Sequence, residues 1–352
     1  MRLTVALAIL AAALVAAPVP GSSSGHPQTS AYPGGIGQRI VTGMAGHRPS
    51  ARLLRRVREG EVGGVILFGW NVTSGAQARS TIASLQRAAR RGGQPPLLVM
   101  TDQEGGAVKR FRWLPPAYSA RRMGRNPGLA GREGRRTGRA LRGLGVNVDL
   151  APVGDLPHSA RHFLGSRAFG RRADRVAAAA GAFARGLGSA GVAGTAKHFP
   201  GLGYARANTD FSRVRIRTRR EALRADYEPF KAMIQAGTPL VMLSNAAYDA
   251  LDPKGRPACM SRPIVEGELR GVAGFTGVTI SDALGSPAVP RGPNAYVAVA
   301  NAGVDLLLLG TEEASEAAYR GLVASARRGV LDAGRNVAAV RRIRALKGAL
   351  GR

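Results

Sequence analysis

The sequence predicts an α/β fold, a single-domain (β/α)8 barrel of the TIM type, on three observations. Short apolar runs rich in β-branched residues recur along the chain, each bounded by Gly or Pro. Segments of helical period rich in Ala, Arg and Leu separate these runs, which is typical of a parallel sheet covered by helices. Polar or charged residues follow run after run, and in a barrel the carboxyl ends of all strands open on one face.

The apolar runs number eight, which matches a barrel better than a doubly wound sheet. No Gly-x-Gly-x-x-Gly follows any of them, so a dinucleotide site is not expected. The predicted strands are Ile40–Met44, Val65–Phe68, Leu97–Thr101, Val146–Leu150, Gly194–Lys197, Leu240–Ser244, Val278–Ser281 and Val304–Leu309. Helices are predicted at Ala51–Arg58, Gln77–Arg91, Asp174–Leu187 and Arg220–Gln235.

The N-terminus predicts export. Residues 1–20 have a charged start, a short apolar stretch and small residues, as in a signal peptide, although an uncleaved anchor is the alternative. Residues 21–34 are rich in Gly and Ser and are expected to be a flexible linker, which leaves 35–352 for the barrel. We therefore expect a secreted or cell-envelope-associated protein.

The net charge of +29 raises the question of a nucleic-acid partner. The excess is almost entirely arginine, scattered over the predicted helices without interleaved aromatic residues. That distribution is typical of a GC-rich genome rather than of a nucleic-acid surface, so no nucleic-acid partner is expected. Attraction to an anionic cell envelope remains open, since charge of this size steers polyanions without a dedicated site. A monomer is the default expectation.

Cysteine and histidine content argue against redox and metal chemistry. The single cysteine, Cys259, excludes an intrachain disulfide, and we expect a packed residue although a thiol nucleophile is formally open. His158 and His162 lie four residues apart, but a solvated loop after the fourth strand is the expected setting. The five histidines show no trusted ligand spacing, so neither a metal nor a cofactor is expected.

Five motifs stand at or near the ends of predicted strands: Val65–Phe68 with Asn71, Thr101–Gly106, Asn147–Val153, Lys197–Gly201 and Ile280–Leu284. Their order resembles that in family 3 glycoside hydrolases, specifically the compact β-N-acetylglucosaminidase branch that lacks a second sandwich domain. The match extends from about residue 36 to the C-terminus. The resemblance implies a barrel that hydrolyses terminal β-linked N-acetylglucosamine from peptidoglycan- or chitin-type glycans, with retention, through a covalent glycosyl-enzyme intermediate.

The resemblance also implies roles for individual residues. Asp282, after the seventh strand, takes the position of the nucleophile, although an aspartate there could also simply cap the next helix. Five residues match positions that hold the hydroxyls and acetamido group of the sugar: Asp102, Arg110, Arg167, Lys197 and His198. For Arg110, which lies between Lys109 and Arg112, a surface cation is the open alternative.

The loop after the fifth strand departs from the family pattern. Members of this branch carry an Asp-His dyad there as general acid/base, whereas this chain has Asn208 and Asp210 at the aligned positions. In one account Asp210 is the acid/base and Asn208 orients it. In the other, the protein binds sugar with little turnover, as a non-catalytic wall-sugar-binding barrel. A β-glucosidase is the nearest enzymatic alternative, and water or phosphate could accept the glycosyl group.

Overall fold

The computed structural model describes residues 35–351. The predicted signal peptide (1–20) and linker (21–34) lie outside the described residues, so those predictions stay untested. Within 35–351, no helix is long and apolar enough to cross a membrane.

Eight parallel strands form the centre of the fold, in the order β7-β6-β5-β4-β3-β2-β1-β8. A parallel bridge between Ile280 and Leu306 joins the last neighbours and closes the sheet. The predicted (β/α)8 barrel is confirmed, with strand ends shifted by a few residues. The strands are β1 (Ile40–Gly43), β2 (Gly64–Ile66), β3 (Leu98–Thr101), β4 (Val148–Asp149), β5 (Ala193–Phe199), β6 (Leu240–Leu243), β7 (Val278–Ser281) and β8 (Leu307–Leu309).

Alternate residues of each strand belong to two separate apolar clusters. In β6, Leu240 and Met242 join the cluster that fills the barrel, while Val241 and Leu243 join the cluster beneath the helices. Successive side chains of a strand point to opposite faces. Because both faces are buried, the strands appear in the sequence as continuous apolar runs rather than as alternating patterns.

Helices cover the outside of the barrel, and α10 also closes its amino-terminal end. Polar N-cap side chains begin several of them; in α1 the Ser50 hydroxyl accepts from the Leu53 N–H at 2.9 Å. Ile343 and Leu346 of α10 pack into the barrel cluster. The α-helices of the described residues are α1 (Ala51–Arg58), α2 (Gly75–Arg91), α3 (Ala120–Met123), α4 (Pro127–Arg142), α5 (Ala173–Ser189), α6 (Arg220–Ala225), α7 (Glu228–Gln235), α8 (Pro293–Ala302), α9 (Glu312–Arg327) and α10 (Ala333–Leu350).

One predicted helix is wrong in its extent. The segment Arg220–Gln235 is two helices, α6 and α7, separated at Asp226 and Tyr227. Pro229 lies in the first turn of α7 and has no N–H to donate to the carbonyl four residues earlier. A continuous helix is therefore interrupted just before this proline.

Short elements complete the loops of the described residues. Gln103–Gly105 pairs antiparallel with Val108–Lys109 after β3, and Arg215–Ile216 pairs parallel with Ala247–Tyr248. Pro263–Val272 is a π-helix before β7. The 3₁₀-helices are Ile36–Arg39, Gly69–Asn71, Gly165–Arg167 and Ala258–Met260.

Candidate active site

A pocket of about 300 Å³ opens at the carboxyl end of the barrel. Its wall includes Phe68 after β2, Met242 of β6 and Gly310 after β8, so several strands contribute to it. All eight residues predicted from the sequence line this one pocket: Asp102, Arg110, Arg167, Lys197, His198, Asn208, Asp210 and Asp282. The structure thus brings together side chains that are as much as 180 positions apart in the chain.

An ionic network forms one wall of the pocket. The Lys197 ammonium, 3% exposed, lies 2.8 Å from Asp102 Oδ1 and 2.8 Å from Glu104 Oε1. Arg167 donates from Nε and Nη2 to the two oxygens of Glu104, each at 2.8 Å. Such a bidentate pair fixes the guanidinium plane. Glu104 therefore holds both Arg167 and Lys197 in place.

The same contacts set the charge states in the network. Burial disfavours ionised Glu104, but Lys197 and Arg167 outweigh burial and lower its pKa to about 2. Asp102 follows the same logic: burial opposes ionisation, while Lys197 and Arg110 bring its pKa below the ordinary value. Burial works against the Lys197 cation too, yet Asp102 and Glu104 raise its pKa. Both carboxylates and the ammonium are thus charged at neutral pH.

A tight hairpin brings Arg110 next to Asp102. Gly105 and Gly106 at its turn have φ of 94° and 60°, values that other residues rarely adopt. The Arg110 N–H donates to the Asp102 carbonyl at 3.3 Å, and its guanidinium lies 3.4 Å from Asp102 Oδ2. Arg110 is half-buried and lines the pocket, and its role as a sugar ligand stays a prediction.

Asp282 follows β7 and faces the pocket. Its Oδ1 accepts the N–H of Ala283 at 2.7 Å. Burial raises the pKa of Asp282, and the charge of Asp210 raises it further, against the opposing effects of His198, the Ala283 N–H and Lys197. The Lys197 charge and the Ala283 N–H favour the ionised form that a nucleophile requires, while burial outweighs them and leaves the pKa above the ordinary aspartate value.

Asn208 and Asp210 contact each other on the loop after β5. The Asn208 amide donates to Asp210 Oδ2 at 3.2 Å, and the Asp210 N–H donates to Asn208 Oδ1 at 3.0 Å. Both line the pocket, with Asp210 the more exposed of the two. Because Asp210 raises the pKa of Asp282, the two carboxyl groups interact electrostatically across the pocket. The geometry accommodates the predicted pairing, while its catalytic role stays a prediction.

His198 is fixed by Asp155, a residue to which the sequence analysis gave no role. Asp155 Oδ2 lies 2.7 Å from His198 Nδ1, and its Oδ1 accepts the N–H groups of His198 and Leu202 at 3.2 and 2.8 Å. The acceptor at Nδ1 places a proton there and leaves Nε2 for the pocket. Asp155 is fully buried, and the imidazole outweighs burial to lower its pKa.

Glu104 and Asp155 are thus the two residues that sequence reasoning missed. Glu104 lies two positions after Asp102, and alternate residues of an extended segment share a face, which was an available signal. Asp155 comes soon after the fourth predicted strand, which indicates this face of the barrel, but no local pattern indicates its contact with His198, 43 positions away. Asp149, at the end of β4, is completely buried and does not line the pocket; its Oδ1 accepts the Gln103 N–H at 2.9 Å.

Cys259 and the paired histidines lie outside this site. Cys259 is buried, and its thiol donates to Asn245 Oδ1 at 3.2 Å, as expected of a packed residue. His158 and His162 lie on the loop after β4, as predicted. His158 stacks on Tyr204 and contacts Asp226 at 2.8 Å. Across residues 35–351, no group of three His, Cys, Asp or Glu side chains is arranged to hold a metal ion.

Known proteins resemble this chain over most of its length. Residues 35–346 match the family described as "Glycosyl hydrolase family 3 N terminal domain". An "Uncharacterized secreted glycosyl hydrolase" of Arthroderma benhamiae is 34% identical over 89% of this chain and 92% of its own. A "Beta-hexosaminidase" of Pseudomonas aeruginosa is 37% identical over 74% of this chain and 78% of its own.

Solved structures extend the similarity to the fold. A β-N-acetylhexosaminidase from Beutenbergia cavernae superposes with a TM-score of 0.80 at 32% identity, covering 89% of this chain and 97% of that one. A family 3 β-N-acetylglucosaminidase from Paenibacillus superposes with a TM-score of 0.86 at 32% identity, covering 90% of this chain. This chain spans 62% of the length of the Paenibacillus enzyme.

Proposed function

Since the chain belongs to glycoside hydrolase family 3, we propose that its pocket is the active site of a retaining β-N-acetylhexosaminidase that releases terminal β-linked N-acetylglucosamine from glycans. The predictions of the family and of a glycosidase are confirmed by the family match and by relatives named β-hexosaminidase. The observation that carries the specific proposal is the convergence of two carboxylates and five sugar-binding candidates on one pocket.

The proposed roles follow from the contacts. Asp282 attacks the anomeric carbon, because it lines the pocket just after β7, where a backbone N–H and the Lys197 charge favour its ionised form. Asp210 donates a proton to the leaving oxygen and then takes one from the incoming water, with Asn208 orienting it.

The remaining residues hold the sugar. Asp102 can accept hydrogen bonds from neighbouring hydroxyls, since one carboxylate offers several acceptor sites. Arg110, Arg167, Lys197 and His198 present N–H groups to hydroxyl and acetamido oxygens. Their fixed positions, set by Glu104 and Asp155, limit the reorganisation that binding requires.

We further propose that the protein acts outside the cytoplasm on wall-type glycans. Supporting this are the signal-like residues 1–20, a relative described as secreted, and the charge of +29, which attracts anionic wall polymers.

The test compares an aryl β-N-acetylglucosaminide with the matching glucoside, using wild type, Asp282→Ala and Asp174→Ala. Asp174 is an exposed aspartate paired with Arg172, and it serves as the control carboxylate. We expect the wild type to cleave the N-acetyl substrate preferentially, Asp174→Ala to match it, and Asp282→Ala to lose turnover until azide supplies a nucleophile. Preference for the glucoside would indicate a β-glucosidase. Binding of wall fragments without cleavage would indicate a binding barrel.

Asp210→Ala tests the acid/base role separately. Loss of the acid should slow a substrate whose leaving group is a poor one, such as a sugar, far more than one with an acidic phenol, which departs without protonation. Equal effects on the two substrates, or none on either, would remove Asp210 from the mechanism.

A further inference from the structure

The two tryptophans of this chain are unusually exposed. The sequence contains only Trp70 and Trp113, and their exposed fractions are 59% and 50%. Tryptophan is on average highly buried, since its large ring gains much free energy from leaving water. Single exposed apolar side chains are common on protein surfaces, so the neighbours of each indole decide whether it could meet a ligand.

Trp70 does not line the active-site pocket itself but adjoins it through Phe68. Its ring stacks on Phe68, with centroids 4.5 Å apart and planes inclined by 18°. Phe68 itself lines the pocket, and the Arg110 guanidinium lies 6.0 Å from the centre of the Phe68 ring. One face of the indole is thus covered by a pocket residue, while more than half of Trp70 faces solvent at the rim.

The turn that carries Trp70 is rigidly held. The buried Asn71 accepts the Phe68 N–H at 2.8 Å and donates to the carbonyls of Met44 and Gly46 at 2.7 and 2.8 Å. The indole is therefore presented in a fixed position before any ligand arrives, which reduces the entropy lost on binding.

We propose that Trp70 forms a second sugar-binding position, on which the leaving-group residue of a β-linked N-acetylglucosamine oligomer stacks. The inference rests on the proposed function, which places the terminal sugar inside the pocket and the next residue at its mouth. A pyranose ring with equatorial substituents presents an apolar C–H face, which packs against an indole and displaces water from both. The ligand class is a β-linked oligosaccharide rather than a simple glycoside.

The kinetic test uses substrates with and without a leaving-group ring. We expect Trp70→Ala to lower kcat/KM for the β-1,4-linked N-acetylglucosamine disaccharide about 10-fold, equivalent to about 1.4 kcal/mol. The glycosyl fluoride has no ring at this position and should be hydrolysed at nearly the wild-type rate. Trp70→Phe should recover most of the loss, which shows that the fold is intact. A Trp70→Ala variant that equals wild type on the disaccharide, or loses both substrates equally, overturns the proposal.

Trp113 provides the matched control. It is similarly exposed, but its ring packs edge-on against the buried Phe111, which does not line the pocket. Trp113→Ala should leave the hydrolysis of both substrates unchanged. If Trp113→Ala lowered kcat/KM for the disaccharide as much as Trp70→Ala does, the effect would not be specific to Trp70. That result would contradict a sugar-binding position at Trp70.

A binding measurement separates failure of this inference from failure of the proposed function. In Trp113→Phe carrying Asp282→Asn, Trp70 is the sole tryptophan, so its fluorescence reports directly on its surroundings. Titration with the N-acetylglucosamine trimer should shift the emission to shorter wavelength, whereas the monosaccharide should not. If the wild type hydrolyses nothing, the proposed function fails and this titration still decides the inference: no shift with the trimer overturns it.

Discussion

Glu104→Gln tests whether one buried carboxylate positions Arg167 and Lys197, the cations proposed to bind the sugar. Glu104 is 2% exposed and makes three contacts of 2.8 Å, two with Arg167 and one with Lys197. Glutamine preserves the size of the side chain but removes its charge. Arg167 and Lys197 would then lose the charge of the one carboxylate that both of them contact.

The structure gives the size of the effect. Burial alone would raise the pKa of Glu104, yet Lys197 and Arg167 lower it from 4.5 to about 2. That difference corresponds to roughly 3 kcal/mol of preference for the charged form in the folded state. Removing one partner of a buried ion pair typically costs about 3–5 kcal/mol, since the other charge stays buried. We expect the free energy of unfolding to fall by about this amount at neutral pH.

The pH dependence gives a sharper test than the magnitude. A carboxyl whose folded pKa is lowered stabilises the fold fully above its unfolded pKa, and this stabilisation is lost as pH falls through the folded value. The difference between wild type and Glu104→Gln should therefore hold down to about pH 4.5 and shrink to less than half by about pH 3. Urea unfolding at both pH values measures it. A difference that is constant with pH would refute the reasoning.

Glu133→Gln is the matched control for the substrate effect. Glu133 is also 2% exposed, accepts the Ala117 N–H and pairs with Arg136, but does not line the pocket. Both variants should lose stability, but only Glu104→Gln should raise KM, because only Glu104 contacts residues that line the pocket. We expect an increase in KM of about 10-fold, which corresponds to about 1.4 kcal/mol of lost binding free energy. Equal KM values for the two variants would show that Glu104 supports the fold without positioning the sugar ligands.

Two further predictions concern buried groups away from the pocket wall. Burial raises the pKa of Asp149 to about 8, with the Gln103 N–H opposing, so the folded state holds it protonated at neutral pH. A carboxyl with a raised folded pKa stabilises the fold fully below about pH 4, and this stabilisation is lost as pH rises toward 8. Relative to Asp149→Asn, the free energy of unfolding of the wild type should therefore fall by up to about 1.4 kcal/mol per pH unit over this range. Parallel urea-unfolding curves against pH would contradict this. Burial also raises the pKa of the Cys259 thiol, so the native chain should resist a thiol-reactive dye and label once per chain after denaturation; rapid native labelling would contradict the packing.

The barrel could be predicted because its strands are buried on both faces. Val278–Ser281, for example, appears in the sequence as an uninterrupted β-branched and apolar run and forms β7 with the predicted bounds. The break at Pro229 was also present in the sequence, since proline cannot extend a helix from the preceding turn. The helical periodicity continues on both sides of Asp226, so the sequence pattern predicts one helix where the structure has two.

The site could be predicted only as far as the motifs extend. Asp282 follows β7 and Lys197 lies near the carboxyl end of β5. Because all strand ends meet at one face, their convergence follows from the fold. The direction in which each side chain points does not follow from the fold alone. Glu104 contacts Arg167, 63 positions away, and Asp155 contacts His198, 43 positions away. Both contacts depend on hairpin and loop geometry that the local sequence does not determine.

Asp155 holds both His198 and Leu202, a residue at the start of the loop that carries Asn208 and Asp210, through one buried carboxylate. Beyond this anchor, Tyr204 and Asn208 are half-buried, whereas Asp210 and Phe211 are exposed. Substitutions in the outer part of the loop therefore leave the contacts that fix His198 in place. The outer sequence of this loop can diverge while the pocket wall formed by His198 is retained.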